Sequence, residues 1–120
     1  AKEGEEIITL DGNTRKLSSE DLVIANSNKA MAIAGVFGGK DSGVSESTTE
    51  VFIESAYFNP ASIRKTAKRH SLSTDASFRY ERGTDPEITI SALKRVVQLL
   101  KELAGAECVG DYNDVYPNPI

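Results

Sequence analysis

The stretch that organises this chain is His70-Ser-Leu-Ser-Thr-Asp-Ala-Ser-Phe-Arg-Tyr-Glu-Arg-Gly-Thr-Asp-Pro86. It is rich in hydroxyl groups and in charges of both signs, it has no apolar period, and it lies between two helical patterns. Short hydroxyl side chains of this kind either cap helices or bind polar ligands. Residue types alone therefore leave two interpretations open: a structural segment of caps, turns and ion pairs, or a ligand-binding loop on a rigid scaffold.

Helix signals flank this stretch on both sides. Asn59-Pro60 is typical of a helix start, because Asn is a good N-cap and Pro fits the first helical position, and this helix is predicted to end at His70. Asp85-Pro86 repeats the signal, and the second helix is predicted to run to Ala104, before a stop at Gly105. Apolar residues at helical spacing predict a core stripe on the second helix. They are Ile88, Ala92, Leu93, Val96, Leu99, Leu100 and Leu103.

The first half of the chain has the pattern of two β-hairpins. Asp11-Gly12-Asn13 and Ser27-Asn28-Lys29 are turn signals, each between two predicted strands. The predicted strands are 6–10, 14–17, 21–26 and 30–36, with a central strand at 50–58 and a closing strand at 108–115. These elements predict an α+β fold, with mixed or antiparallel sheets on which two main helices, about 60–70 and 86–104, are packed.

Two further features fall outside this scaffold. Gly35-Val-Phe-Gly38-Gly39 makes backbone N–H groups accessible, but its spacing fits neither a Walker loop nor a dinucleotide fingerprint. Glu54 interrupts the predicted strand 50–58, and strand alternation puts it on the same face as Phe52 and Ala56. A carboxylate there is either exposed at an edge or held in a partly apolar pocket, where it needs a partner.

The chain has one histidine, His70, and one cysteine, Cys108. His70 is predicted near a helix end, where the helix dipole favours a cation, so a capping role is the favoured interpretation. With no second His and no Cys near it, we predict no metal site. A single Cys excludes an internal disulfide and fits a reducing cytoplasmic setting.

Length and composition predict a single domain spanning 1–120. Apolar residues make up 39% of the chain and charged residues 27%, which is ordinary for a globular domain. No apolar run approaches the roughly 20 residues that cross a bilayer, so we expect no membrane partner. The first residues have no apolar core typical of a signal peptide, and the missing initiator Met is typical of an excised fragment or a processed chain.

Charge is unevenly distributed. The net charge is −4, yet residues 61–82 carry six Lys or Arg side chains against two carboxylates. One interpretation is a basic face that contacts phosphate, and the other is a solvated helix face with internal ion pairs. The candidate phosphate contacts are Arg64, Lys65, Lys68 and Arg69.

Three blocks together resemble the editing domain in the beta subunit of bacterial phenylalanyl-tRNA synthetase. They are Gly35-Val-Phe-Gly-Gly39, Phe52-Ile-Glu-Ser-Ala56 and Ser73-Thr-Asp-Ala-Ser-Phe-Arg-Tyr-Glu-Arg-Gly-Thr-Asp-Pro86. The order and spacing of the blocks match, as does an opening Ile-Thr-Leu-Asp-Gly segment at 8–12. The resemblance covers essentially all 120 residues and corresponds to the later part of that editing domain.

The resemblance implies an enzyme fragment that hydrolyses Tyr mischarged onto tRNA(Phe). Its partners would be the tRNA 3′ end, tyrosine and the synthetase alpha subunit, in the cytoplasm. ATP and Mg²⁺ would be used elsewhere in the whole synthetase, with no cofactor in this domain. Two other functions remain open: a non-catalytic docking module for tRNA or protein, in which segment 64–82 contacts phosphate, and a free-standing hydrolase of mischarged tRNA, against which the missing Met argues.

The resemblance also implies four pocket residues. Glu54 would accept the tyrosine hydroxyl, the backbone of Gly38 would lie beside that hydroxyl, and Thr74 and Ala76 would line the slot near the reacting end. Ester cleavage would use positioned water, with no metal and no assigned general base. The histidine that the family uses lies upstream of residue 1, and His70 does not correspond to it.

The same motif contains two arginines. Arg79 and Arg82 resemble the family's pattern, and we expect them to hold the loop by ion pairs with Glu81 or Asp75.

Overall fold

The computed structural model describes residues 1–120, and it has five short strands and three α-helices. The strands are β1 (Glu6–Ile8), β2 (Thr14–Lys16), β3 (Val23–Ala25), β4 (Ala30–Ile33) and β5 (Phe37–Gly38). The helices are α1 (Pro60–Arg69), α2 (Asp75–Glu81) and α3 (Thr89–Ala104), with short 3₁₀ turns at Lys40–Ser42 and Pro86–Ile88. The predicted α+β class is confirmed. No helix has both the length and the apolar character that crossing a membrane requires.

The chain divides into two compact units. The sheet unit comprises Ala1–Glu50 and Phe58–Thr84, and the α3 unit comprises Val51–Tyr57 and Asp85–Ile120.

Two small antiparallel sheets form the sheet unit. In the first, β1 pairs with β2, with Ile7 opposite Arg15. In the second, β4 lies between β3 and β5. A single bridge between Thr9 and Gly39 joins the two sheets. All four predicted strands of the hairpins are therefore confirmed, although each is shorter than its predicted range.

The core of this unit lies where the strands meet α1. Leu17, Ile33 and Ile63 are each 1% exposed. The helix buries Ile63, Thr66 and Ala67, which are spaced to lie on one face. Its predicted start is confirmed, because the Asn59 side chain accepts a hydrogen bond from the Ser62 N–H at 3.1 Å.

Helix α2 shows that hydroxyl groups of the stretch 70–86 serve as helix caps, one of the two interpretations that the residue types left open. Its N-cap is Thr74, whose hydroxyl accepts from the Ser77 N–H at 3.0 Å. In return the Ser77 hydroxyl accepts from the Thr74 N–H at 3.0 Å, which completes a capping box. The helix has no apolar stripe because its one fully buried residue is Ser77, so hydrophobic periodicity gave no signal.

The α3 unit has a well-marked helix and no buried residue. The Asp85 carboxylate accepts from the Glu87 N–H at 2.9 Å, and Gly105, at φ +65°, ends the helix as predicted. The predicted core stripe is wrong for this chain, because α3 buries no residue and Leu103 is 82% exposed. A stripe becomes a core only when another element covers it.

Two predicted strands are absent. Residues 50–58 and 108–115 have no regular secondary structure. A strand needs a neighbouring strand for its backbone hydrogen bonds, and no ladder within the chain reaches either segment. In the second segment Gly110 also has φ +78°, which interrupts extended backbone.

Candidate functional site

The glycine turn, residues 35–39, is held tightly at its first residue. Gly35 has φ +67°, a conformation that L side chains rarely adopt. A Cβ at this position would lie 2.8 Å from side-chain atoms of both Ile63 and Phe58. Phe58 packs in turn against Tyr80 of α2, with ring centroids 5.0 Å apart. The absence of a side chain at Gly35 thus lets the turn pass directly over α1 and α2.

The far end of the turn is held by backbone contacts. The Leu10 N–H donates to the Gly38 carbonyl at 3.0 Å. A Cβ on Gly39 would lie only 2.1 Å from the Met31 carbonyl oxygen, so no side chain fits there. Gly38 itself is half-buried, and a Cβ on it would meet only the flexible end of Leu10, at 3.1 Å.

Thr74 connects this turn to α2. Its hydroxyl donates to the Val36 carbonyl at 2.6 Å while it caps the helix. The structure therefore brings together two of the predicted pocket positions, the glycine turn that carries Gly38 and the first residue before α2. Ala76 follows in the first turn of the helix and is exposed.

Glu54, the fourth predicted pocket residue, belongs to the α3 unit. It lies in an irregular segment, so the strand alternation that paired it with Phe52 and Ala56 does not apply. The residue as a whole is exposed, yet partial desolvation raises the pKa of its carboxyl above the ordinary value. The neighbouring Ser55 is fixed by donating from its hydroxyl to the Thr89 carbonyl at 2.7 Å.

The motif arginines behave differently from each other. Arg82 pairs with Glu81 at 2.9 Å and its guanidinium stacks over the Phe78 ring at 3.5 Å, so the predicted ion pair is confirmed for Arg82. Arg79 is exposed and has no carboxylate within 4.0 Å, so it does not hold the segment by the predicted ion pair.

Only some of the basic side chains on α1 lack an ion-pair partner. Arg64 is exposed, and its guanidinium donates to the Glu81 carbonyl at 3.1 Å. Arg69 pairs with Glu20 at 3.1 Å and also with Asp21. Lys65 and Lys68 are exposed and form no ion pair.

Sequence reasoning missed a buried charge cluster around Asp21. Its carboxylate, with a fully buried side chain, accepts from the Ser18 N–H at 2.9 Å and lies 2.7 Å from His70 Nε2. Burial alone would raise the pKa of Asp21, but the hydrogen bonds from Ser18 and His70 and the charge of His70 outweigh it and lower the pKa. His70 is also the C-cap residue of α1 through its backbone N–H, whereas the prediction rested on the charge of its ring. The position of His70 beside Arg69 was the only signal of this cluster.

A separate open cleft of about 470 Å³ lies between β1 and β4. Lys29 and Asp41, paired at 3.5 Å, are among its lining residues. None of the four predicted pocket residues lines this cleft. Nowhere do three or more His, Cys, Asp or Glu side chains come together as a metal-ligand set.

Known proteins match this chain closely. The B3/4 domain model matches residues 1–105. The phenylalanine–tRNA ligase beta subunit of Bacteroides fragilis is 57% identical over 117 residues, which are 98% of this chain and 14% of that protein. Beta subunits from Bdellovibrio bacteriovorus and Geobacter sulfurreducens are 50% and 47% identical, over 98% and 100% of this chain.

These relatives are much longer than this chain, which spans 14% to 15% of their lengths. The match extends over both units and includes all three sequence blocks described above. The resemblance to phenylalanine–tRNA ligase beta subunits is thereby confirmed, and the chain belongs to the B3/4 domain family.

Proposed function

We propose that this chain is part of the editing domain of a phenylalanine–tRNA ligase beta subunit, and that the domain hydrolyses Tyr-tRNA(Phe). The observation that carries the proposal is the hydrogen bond from Thr74 to the Val36 carbonyl, 2.6 Å long. It joins the glycine turn to the start of α2, two segments that are 38 residues apart in sequence and that the resemblance assigns to one pocket.

Selection of tyrosine over phenylalanine depends on a single hydroxyl group. A site built to hydrogen-bond that hydroxyl rejects the analogue without it, because buried polar groups of the site would stay unpaired. The resemblance assigns to Glu54 the carboxylate that accepts a hydrogen bond from the tyrosine hydroxyl, and to Gly38 the backbone next to that hydroxyl. The desolvation that raises the pKa of Glu54 is in keeping with a carboxylate that is not fully hydrated.

The proposed reaction is ester hydrolysis by water. Water adds to the ester carbonyl carbon, the tetrahedral intermediate collapses, and the bond to the ribose oxygen breaks to give tyrosine and free tRNA. Residues of this chain bind and orient the substrate, and no cofactor takes part in the domain. ATP and Mg²⁺ serve aminoacylation elsewhere in the whole cytoplasmic synthetase, together with the alpha subunit.

The exposed cations of α1 are proposed to contact tRNA phosphates. Lys65 and Lys68 are the candidates, with Arg64, because their charges are not neutralised by carboxylates. Arg69 is no longer proposed as a phosphate contact, since Asp21 and Glu20 already pair with it and give it a structural role.

Deacylation by the full alpha–beta synthetase tests the proposal. Variants Glu54→Gln and Glu54→Ala are expected to lose roughly tenfold or more in hydrolysis of Tyr-tRNA(Phe), in line with the cost of an unpaired substrate hydroxyl. Aminoacylation with phenylalanine, which uses another site, is the control and should be unchanged. If both variants hydrolyse Tyr-tRNA(Phe) normally, the proposal is contradicted, and a non-catalytic docking module describes this domain better.

A further inference from the structure

The Thr74 hydroxyl has little capacity left for a substrate. A threonine hydroxyl offers one hydrogen and two lone pairs. The hydrogen is donated to the Val36 carbonyl at 2.6 Å, and one lone pair accepts from the Ser77 N–H at 3.0 Å. Donating to an ester, to water or to an intermediate would break the bond to Val36.

The bond to Val36 holds the middle of the glycine turn at its carbonyl side. Gly35 is wedged against Ile63 and Phe58 at one end. The Gly38 carbonyl is held by the Leu10 N–H at the other end. Between them Val36 is buried; its N–H donates to the Ile33 carbonyl at 3.0 Å, and its carbonyl accepts from Thr74.

Ser77 fixes Thr74 from the other side. Its hydroxyl, in a residue 2% exposed, accepts from the Thr74 N–H at 3.0 Å and donates to the Thr74 carbonyl at 3.1 Å. The backbone of Thr74 is therefore held at both its N–H and its carbonyl. The side chain can then reach Val36 with little conformational freedom left to lose.

We propose that Thr74 is a positioning residue of the editing site, whose hydroxyl holds the Gly38 turn through Val36 and does not touch the reacting ester. This inference rests on the proposed function and assigns the role of one of its residues. Pocket geometry then depends on the hydroxyl of Thr74, and its methyl group is secondary.

Two substitutions separate the hydroxyl from the methyl group. Thr74→Val keeps the shape and removes both hydrogen bonds, whereas Thr74→Ser keeps the hydroxyl and removes the methyl. In the full synthetase, Thr74→Val is expected to lower kcat/KM for Tyr-tRNA(Phe) hydrolysis by about tenfold, as expected for two lost hydrogen bonds. Thr74→Ser is expected to rescue most of that loss.

Amide hydrogen exchange of residues 36–39 is the second readout. Thr74→Val should speed exchange there, and Thr74→Ser should not. Ser77→Ala keeps the Thr74 hydroxyl but releases its backbone, so a smaller increase is expected at the same residues. The control is Ser73→Ala, next along the chain at an exposed residue, which should change neither hydrolysis nor exchange.

The outcomes separate this inference from the function beneath it. If Thr74→Val keeps full hydrolysis of Tyr-tRNA(Phe), the positioning role is overturned. If Thr74→Ser loses hydrolysis and Thr74→Val does not, the role is also overturned, and the methyl group is the part of Thr74 that matters. Unchanged exchange at 36–39 in both Thr74→Val and Ser77→Ala overturns it as well. If Glu54→Gln impairs hydrolysis in the same assays, the editing function stands whatever Thr74 does; if it does not, the function itself fails.

Discussion

The two units of this chain differ in what covers their apolar residues. All nine buried hydrophobic residues belong to the sheet unit, and the α3 unit has none. The contrast is sharpest between helices, because α1 buries three residues in ten, whereas the longer α3 buries none in sixteen. An amphipathic sequence thus predicts which face of a helix is apolar, and the surrounding elements decide whether that face is buried.

The largest expected effect tests this contrast directly. Ile63→Ala removes a side chain that is 1% exposed, and should cost about 4 kcal/mol in the free energy of unfolding. Leu103→Ala, at 82% exposure in α3, should cost less than about 0.5 kcal/mol in the same chain. Urea denaturation of both variants measures the difference, and equal costs would mean that exposure does not distinguish the units.

Backbone crowding gives the next largest effect. Gly39→Ala places a Cβ 2.1 Å from a backbone oxygen and should destabilise the sheet unit by about 3 kcal/mol. Gly110→Ala in the α3 unit meets nothing within 4 Å, and its φ of +78° should cost only about 1 to 2 kcal/mol. Thermal unfolding followed by circular dichroism compares them; a smaller cost for Gly39→Ala would contradict the contact with Met31.

Two carboxylates, one in each unit, should respond oppositely to pH. The pKa of Asp21 is lowered by folding, so its stabilisation is complete above the ordinary value of 3.8 and is lost as pH falls through the lower folded value. Asp21→Asn should cost about 2 kcal/mol at pH 7, because a buried ionic hydrogen bond is lost. Below pH 3 this cost should shrink.

The pKa of Glu54 is raised by folding, so the sign reverses. Ionised Glu54 disfavours the folded state above its raised pKa, and this penalty disappears as pH falls below the ordinary value of 4.5. Glu54→Gln should therefore leave stability at pH 7 unchanged or slightly higher. Stability curves measured from pH 2 to 7 check both carboxylates, and a loss of stability in Glu54→Gln at pH 7 would show that the carboxylate has a stabilising partner.

Helix caps should give a smaller effect than the loss of the Asp21 carboxylate. Asn59→Ala removes the cap of α1 and should cost about 1 kcal/mol. Asp85→Ala removes the side-chain cap of the 3₁₀ turn Pro86–Ile88 that leads into α3, and should cost less in global unfolding because α3 buries no residue in this chain. Denaturant midpoints of the two variants measure this, with Asn59→Asp as the control that retains a capping oxygen. A larger cost at Asp85 would show that α3 unfolds together with the core.

Local signals predicted the local structure well. Asn59, Asp85 and Gly105 mark helix ends. Each acts through contacts with residues only a few positions away, so the local sequence is enough to predict it. The hairpin turn at Gly12, with φ +83°, was likewise predictable from local residue types. The strand predicted at 50–58 failed because its apolar pattern says nothing about whether another strand lies beside it.

The candidate site was predictable in part. The motif blocks identified Gly38 and Thr74, and the structure joins their segments. Helix α2 could not be predicted from apolar spacing, since Ser77 is its buried residue and Phe78 is 54% exposed. The Asp21 cluster joins residues 49 apart, which no local pattern reveals.

The bridge between Thr9 and Gly39 limits how this protein can change in evolution. The link between the two sheets is only one residue pair wide, so the spacer at 34–36, between β4 and β5, has to keep its length, and Gly35 within it has no room for a side chain. One deleted residue there would turn Gly39 away from Thr9 and bring Lys40, which has a side chain, against Met31. Relatives should therefore lack insertions and deletions in that spacer and keep the glycine at its second position.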